Sequence, residues 1–180
     1  MTKIEITEST KIKIAALSLL LIFCCNTNYG AREEGINRVE VFVSAYCYRI
    51  NRVRGPEILI LKRSPTRQLH PSVWECGGGS VHENEDFEDA ARRQLLEEAG
   101  ITATRWKVLE CFNVQIRPGI IAPGIAFACK ANADSQVKID LREHTDYRWV
   151  TMNELEDVVL VSQKMRQSIM KLLMIQDKLL

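Results

Sequence analysis

Alternating and continuous apolar runs along the chain predict a series of strands. Five segments rich in β-branched and aromatic residues have this pattern: 38–50, 57–62, 107–116, 120–130 and 147–150. Gly55-Pro56 marks a turn after the first segment, and Arg117-Pro118-Gly119 separates the third from the fourth. An irregular loop at 63–73 and a glycine-containing segment at 74–80 follow the second predicted strand.

A helical pattern follows at 86–99. Asp86 stands at the N-cap position with Asp89 three residues later, as in a capping box, and Gly100 follows the last apolar residue, where glycine ends many helices. Two further helices are expected: a short one from Thr151 and a closing one at 161–178. This order of elements predicts an α+β domain in which a mixed β-sheet is sandwiched between helices (α/β/α).

The first 37 residues form an N-terminal extension, and the folded domain is expected at 38–180. The apolar segment 14–25 is short for a membrane span and normal for the core of a signal peptide, and a polar linker follows it at 26–37. Glu5 and Glu8 dilute the basic region before it. A signal or membrane anchor, a packed helix and an artefactual extension all stay open. We therefore expect a cytoplasmic protein, or an anchored or exported one if 14–25 is a signal.

The composition fits one globular domain whose net charge is too small to create a strong electrostatic field. The chain has 180 residues, 46% of them hydrophobic, and a net charge of +1. No nucleic-acid polymer is therefore expected as a partner, and membrane contact is expected only through 14–25. None of the six cysteines forms a C-x-x-C pair, which argues against a zinc site and favours reduced, buried thiols. Nothing in the sequence specifies an oligomeric state.

The helix at 86–99 carries the candidate chemistry. Position 94, Glu97 and Glu98 share one face at helical spacing, and two adjacent carboxylates favour a nearby positive charge. A hard divalent cation such as magnesium would supply that charge, and the Gly77-Gly78-Gly79 run would expose backbone oxygens to it. The alternative is a solvated acidic helix end followed by a glycine cap.

The segment 79–101 resembles the Nudix box, G-x5-E-x7-R-E-U-x-E-E-x-G-U, in which U is a bulky aliphatic residue. The matching residues are Gly79, Glu85, Arg93, Leu95, Glu97, Glu98, Gly100 and Ile101. The resemblance implies a Nudix fold and a magnesium-dependent hydrolase, with manganese as an alternative ion. Its substrate would be a nucleotide or another small molecule that contains a diphosphate.

The resemblance also implies roles for individual residues. Glu97 and Glu98 would be metal ligands together with the backbone carbonyl of Gly79, while Glu85 and Arg93 would fix the loop to the helix. Gln94 departs from the box, which has Glu there as a frequent ligand and, in some members, the general base. Gln keeps an acceptor oxygen but cannot take a proton.

Three residues outside the box are further candidates. Glu143, in the sequence EHTDYRW, would supply a compensating carboxylate as base or ligand, or else be a surface loop residue. Arg63 and Arg67 precede the glycine run and would hold substrate phosphates, or else be solvated loop arginines. The expected function is cleavage of a phosphoanhydride bond in a nucleoside diphosphate derivative. A nucleotide-binding or regulatory protein with little or no catalysis is the alternative.

Overall fold

The computed structural model describes residues 40–117 and 119–175, and the predictions for 1–37, including the apolar segment 14–25, lie outside these residues. The strands are β1 (Phe42–Asn51), β2 (Gly55–Arg63), β3 (Trp74–Glu75), β4 (Gly77–Ser80), β5 (Thr104–Arg117), β6 (Ile120–Lys130) and β7 (His144–Val150). The helices are α1 (Phe87–Ala99), a 3-10 helix (Glu154–Asp157) and α2 (Gln163–Ile175). Among the described residues, no helix has the length and apolar content that crossing a membrane requires.

The strands form one mixed sheet. β1 lies at its centre, runs parallel to β6 and pairs antiparallel with β2 and β4. β5 pairs antiparallel with β6, and β7 pairs antiparallel with β2. β5 and β7 each begin three residues before the predicted strand, because Thr104 pairs with Lys130 and His144 pairs with Arg63. Pairing across the sheet, rather than local composition, sets these two boundaries.

Helices cover both faces of this sheet, as predicted. Successive strand residues point to opposite faces, so the core forms in two layers. One layer packs residues of β1 and β2 against α1: Ala45, Cys47, Leu59, Leu61, Leu95 and Ala99. The other packs the alternate residues against α2: Tyr46, Tyr48, Ile58, Ile60, Ile169 and Leu172. Fully burying one such aliphatic side chain stabilises the fold by roughly 1.5–3 kcal/mol.

Of the two predictions for the ends of α1, the one for its C-terminus is confirmed and the one for its N-terminus is wrong. Gly100 ends the helix in the left-handed conformation, with φ 66° and ψ 19°, and its N–H donates to the Leu96 carbonyl at 2.9 Å. Asp86 does occupy the N-cap position, but its side chain makes no capping hydrogen bond, so the predicted capping box is wrong. Glu88 and Asp89 place negative charge in the first turn instead, where it stabilises the helix dipole.

The described cysteines are free thiols, as predicted. Cys47, Cys76 and Cys129 are buried, whereas Cys111 is exposed on β5. Burial raises the pKa of the Cys76 thiol, so this group stays protonated and packs as a small apolar residue.

Candidate functional site

The site forms where the two central strands separate. β1 pairs with β4 through Ala45↔Gly77, and β2 pairs with β3 through Leu61↔Glu75. The backbone of 75–80 therefore lies between β1 and β2, with α1 packed beside it. This arrangement brings the glycine run and the carboxylates of α1 to the same place.

The absence of side chains at the glycines lets α1 lie directly on β4. A Cβ at Gly79 would lie 2.5 Å from Nε2 of Gln94, and a Cβ at Gly77 would lie 2.8 Å from Oε2 of Glu98. Gln94 and Glu98 are one helical turn apart and both contact this strand. The backbone of the glycine run is thus within reach of these two side chains of α1.

Glu98 is a buried carboxylate beside other charged groups. Its Oε2 accepts the Gly78 N–H at 2.9 Å, and the residue is 5% exposed. Burial, followed by the charge of Glu75, raises the pKa of Glu98 well above its ordinary range. The Gly78 N–H opposes this rise, Glu143 adds to it, and Arg63 opposes it. Glu75, Glu143 and Arg63 therefore surround Glu98 closely enough to act on its charge.

The neighbouring Glu97 has a different environment, because successive helical residues point about 100° apart. Its Oε2 lies 3.2 Å from NH1 of Arg93 and its side chain is 56% exposed. Arg93 also donates to both carboxylate oxygens of Glu85, at 2.7 and 2.8 Å, and to the Ser80 carbonyl at 3.1 Å. The hydrogen bonds from Arg93 lower the pKa of Glu85 to about 2. This bidentate ion pair holds the loop that contains Glu85 against α1.

A second network joins the end of β2 to β3 and to the start of β7. Arg63 donates through NH1 to Oε1 of Glu75 and through Nε to the Leu69 carbonyl at 3.0 Å. Nε2 of His144 lies 3.2 Å from the same Glu75 oxygen, and His144 is 1% exposed. Sequence reasoning missed Glu75, and its only local signal is a carboxylate shortly before the glycine run.

Glu143 and Arg67 lie at the solvent edge of this region. NH1 of Arg67 is 3.7 Å from Oε2 of Glu143, and both side chains are about two-fifths exposed. The Glu143 carbonyl accepts the Ser64 N–H at 2.7 Å, which holds its loop against the end of β2. The structure therefore brings Arg67 to the Glu143 side chain and places Arg63 next to the same loop, since Arg63 precedes Ser64 and pairs with His144.

The oxygen-rich donor set suits a hard cation. In 40–117 and 119–175, no three His, Cys, Asp or Glu side chains converge as a ready metal site. Glu98 nevertheless buries its carboxyl against the glycine run, where burial and then repulsion of its charged form by Glu75 and Glu143 raise its pKa, and Arg63 opposes the rise. Carboxylate and carbonyl oxygens are the ligands that magnesium prefers, and a divalent ion would relieve this repulsion. The residues present therefore fit such an ion.

A depression of about 670 Å³ lies elsewhere, along β7 and the 3-10 helix. Two of its three arginines are paired, since Arg49 and Arg54 contact Glu57 and Arg54 also contacts Glu154, and the third, Arg148, lies over the ring of Trp74. None of the box residues lines it. The candidate site is therefore the charged region around Glu98.

Comparison with known proteins identifies the family. The model of the NUDIX domain matches residues 41–172. The nucleoside triphosphatase NudI of Escherichia coli (strain SE11) is 32% identical over 111 residues, covering 54% of this chain and 74% of that protein. The NAD-capped RNA hydrolase NUDT12 of Homo sapiens is 29% identical over 94 residues, and the match covers 52% of this chain but only 19% of NUDT12.

Solved structures have the same fold. The Ap4A hydrolase of C. elegans, described as a binary complex, matches with a TM-score of 0.64 and 21% identity, covering 78% of this chain and 99% of that one. The NUDIX domain of Shewanella oneidensis NrtR, complexed with ADP ribose, has a TM-score of 0.65 and 14% identity, covering 89% and 98%. The predicted Nudix fold is confirmed, and because the family model matches more than half of the sequence, the chain belongs to the Nudix family of hydrolases.

Proposed function

We propose that this chain is a magnesium-dependent pyrophosphohydrolase that cleaves a phosphoanhydride bond in a nucleoside diphosphate linked to a second group. The observation that carries the proposal is the buried Glu98, whose carboxyl lies against the glycine run and accepts the Gly78 N–H at 2.9 Å. Burial and the charge of Glu75 raise the pKa of this group, and a cation bound beside it would hold it in the ionised form. A role in binding a divalent ion explains why the chain carries this group.

Glu97 and Glu98 would hold the ion together with the Gly79 carbonyl. When bound, magnesium neutralises phosphate charge and lowers the pKa of a water molecule. Manganese has the same preference for oxygen ligands and is an alternative. The bidentate contact between Arg93 and Glu85 keeps the loop before α1 in place, so the Gly79 carbonyl has a fixed position relative to the helix.

Residues outside the box would complete the reaction. Arg63 and Arg67 would bind non-bridging oxygens of the diphosphate. Glu143, whose side chain is about two-fifths exposed, would take a proton from the attacking water as its oxygen bonds to phosphorus, and the bond from phosphorus to the bridging oxygen would break. Gln94 would add an acceptor oxygen beside Gly79 without serving as the base.

The substrate is proposed at the level of a class. The structural neighbours are an Ap4A hydrolase and a domain that binds ADP ribose. Both ligands are nucleosides attached to a phosphoanhydride chain. A nucleotide of this kind is therefore the substrate class that the fold and the arginines support together.

One observation favours a second candidate function. Gln94 removes a carboxylate at the position where the Nudix box has Glu, and it packs against Gly79 as a neutral amide. A nucleotide-binding or regulatory protein with little catalysis would tolerate this change. Binding of a nucleotide without its magnesium-dependent hydrolysis would identify that function.

The test is hydrolysis of a panel that contains ADP-ribose, dinucleoside polyphosphates and nucleoside triphosphates, with and without magnesium. We expect release of nucleoside monophosphate or phosphate that requires the ion. Glu97→Gln and Glu98→Gln should each lower kcat by about 100-fold or more, because each removes a charged ligand. Glu88→Gln is the matched control, since Glu88 pairs with Arg92 on the same helix away from the glycine run. Wild-type rates in both site variants would refute the assignment of the site.

A further inference from the structure

Glu75 joins three separate elements of the site. It lies at the end of β3, and its Oε1 contacts Arg63 at the end of β2 and His144 at the start of β7. The side chain is 16% exposed, so the contacts are partly shielded from water. Charge-assisted hydrogen bonds in such surroundings fix side-chain direction better than exposed ion pairs do.

His144 constrains this network further. It is buried, its backbone N–H donates to the Asp140 carbonyl at 2.9 Å, and it follows the candidate base Glu143. Because a carboxylate oxygen only accepts, Nε2 of His144 is the donor to Glu75. Two donors, from a guanidinium and an imidazole, thus converge on one oxygen of Glu75.

The contacts of Arg63 described so far use only part of its N–H donors. A guanidinium has five N–H donors, and Arg63 uses one on Nε for Leu69 and one on NH1 for Glu75. The other NH1 hydrogen and both NH2 hydrogens are not used by these contacts. Its partner Glu75 lies two residues before Gly77, whose Cβ position is 2.8 Å from Oε2 of Glu98, so the guanidinium is held at the end of the sheet where the buried carboxyl lies.

We propose that Glu75 is a positioning residue that, with His144, orients the Arg63 guanidinium toward the diphosphate of the substrate. The inference rests on the proposed function, since it assumes a phosphoanhydride beside Glu98. An arginine held in its bound orientation loses less conformational entropy when the phosphate arrives. The variant that lacks the Glu75 charge therefore binds and stabilises the phosphates less well, although Glu75 itself does not contact them.

The test is a double-mutant cycle between Glu75 and Arg63. Glu75→Gln keeps the shape of the side chain but removes its charge, and we expect kcat/KM to fall about tenfold. Arg63→Ala should lower kcat/KM about 100-fold. If Glu75 acts through Arg63, Glu75→Gln causes no further loss in the Arg63→Ala background. Arg63→Lys provides a second background, which keeps the charge, in case loss of the Leu69 contact prevents folding.

The outcomes separate positioning from a general structural role. Losses that multiply in the double variant, or a Glu75→Gln protein with wild-type kcat/KM, would overturn the proposal. Glu75→Asp, which restores the charge, should recover part of the loss. Glu154→Gln is the matched control, because Glu154 also pairs with an arginine, Arg54, outside this region, and its kcat/KM should not change.

Failure of the proposed function gives a different result. A wild-type protein that hydrolyses no member of the panel refutes that function, and the cycle is then measured on ADP binding by calorimetry. Affinity losses that do not multiply still support positioning of Arg63 by Glu75. Affinity losses that do multiply overturn it.

Discussion

Alanine substitutions at Gly78 and Gly79 should have different consequences, because different atoms occupy the two Cβ positions. A Cβ at Gly78 would meet the Val43 carbonyl oxygen and lie 2.9 Å from the Ser44 Cα, both in the backbone of β1. A Cβ at Gly79 would meet the amide group of Gln94, with all three of its nearest contacts between 2.5 and 2.8 Å. Backbone cannot move without opening the β1–β4 pairing, whereas a glutamine amide can rotate away.

The magnitudes follow from this difference. Overpacking typically costs about 1–3 kcal/mol, and Gly78→Ala should reach the upper end or exceed it because it also weakens hydrogen bonds between β1 and β4. Gly79→Ala should cost about 1 kcal/mol or less, because the reduced entropy of the unfolded chain returns roughly 0.4–1 kcal/mol. Displacing Gln94 should nevertheless alter activity. The double variant Gly79→Ala/Gln94→Ala should recover wild-type stability.

Urea unfolding followed by circular dichroism gives the free energies, and magnesium titrations of kcat give the functional effect. The control is the double variant Gly78→Ala/Gln94→Ala, which should be as unstable as Gly78→Ala alone. Equal destabilisation by both glycine substitutions would refute the reasoning. So would a failure of Gln94→Ala to rescue Gly79→Ala, since another atom would then occupy the space beside Gly79.

Two further predictions concern the carboxylate face of α1. Gln94→Glu should lower the magnesium concentration that gives half-maximal kcat. It should also raise kcat by about 10²-fold or more if this position supplies the base. A modest change in kcat would assign the base to Glu143 or another carboxylate. Glu98→Gln should abolish activity yet raise the melting temperature in EDTA at pH 8. Because burial and Glu75 raise the pKa of Glu98, the folded state binds this proton more tightly than the unfolded state, so stability falls as pH rises from about 4.5 through the raised pKa. Each pKa unit of that rise costs about 1.4 kcal/mol of folding stability at high pH. If the difference in melting temperature between the wild type and Glu98→Gln is the same at pH 4 and pH 8, the prediction is wrong.

Local patterns were sufficient to predict most of the fold. The strand at 120–130 and the helix stop at Gly100 depend on nearby residues, and both are present as predicted. The starts of β5 and β7 depend on partners far along the chain, so composition alone placed them too late. The capping-box prediction was wrong for a different reason. Asp86 is a residue type that often caps helices, but its side chain does not make the capping hydrogen bond here.

The contacts of the site were easiest to predict where its residues are close in sequence. Glu85, Arg93 and Glu97 fall at box spacing, and their contacts follow from one loop and one helix. Glu75 and His144 meet because β3 and β7 both pair with β2, and no local pattern contains that information. Carboxylates and histidines that meet through sheet pairing therefore require a structure to be recognised.

Glu97 and Glu98 both match the box but lie in different environments. They are adjacent, yet Glu97 is largely exposed and paired with Arg93, whereas Glu98 is buried against Gly78. An exposed carboxylate beside an arginine costs little to keep charged. A buried one beside Glu75 is costly to ionise. Under the proposed function, a bound cation would offset that cost at Glu98, and Glu97 would complete the ligand set from the solvent side.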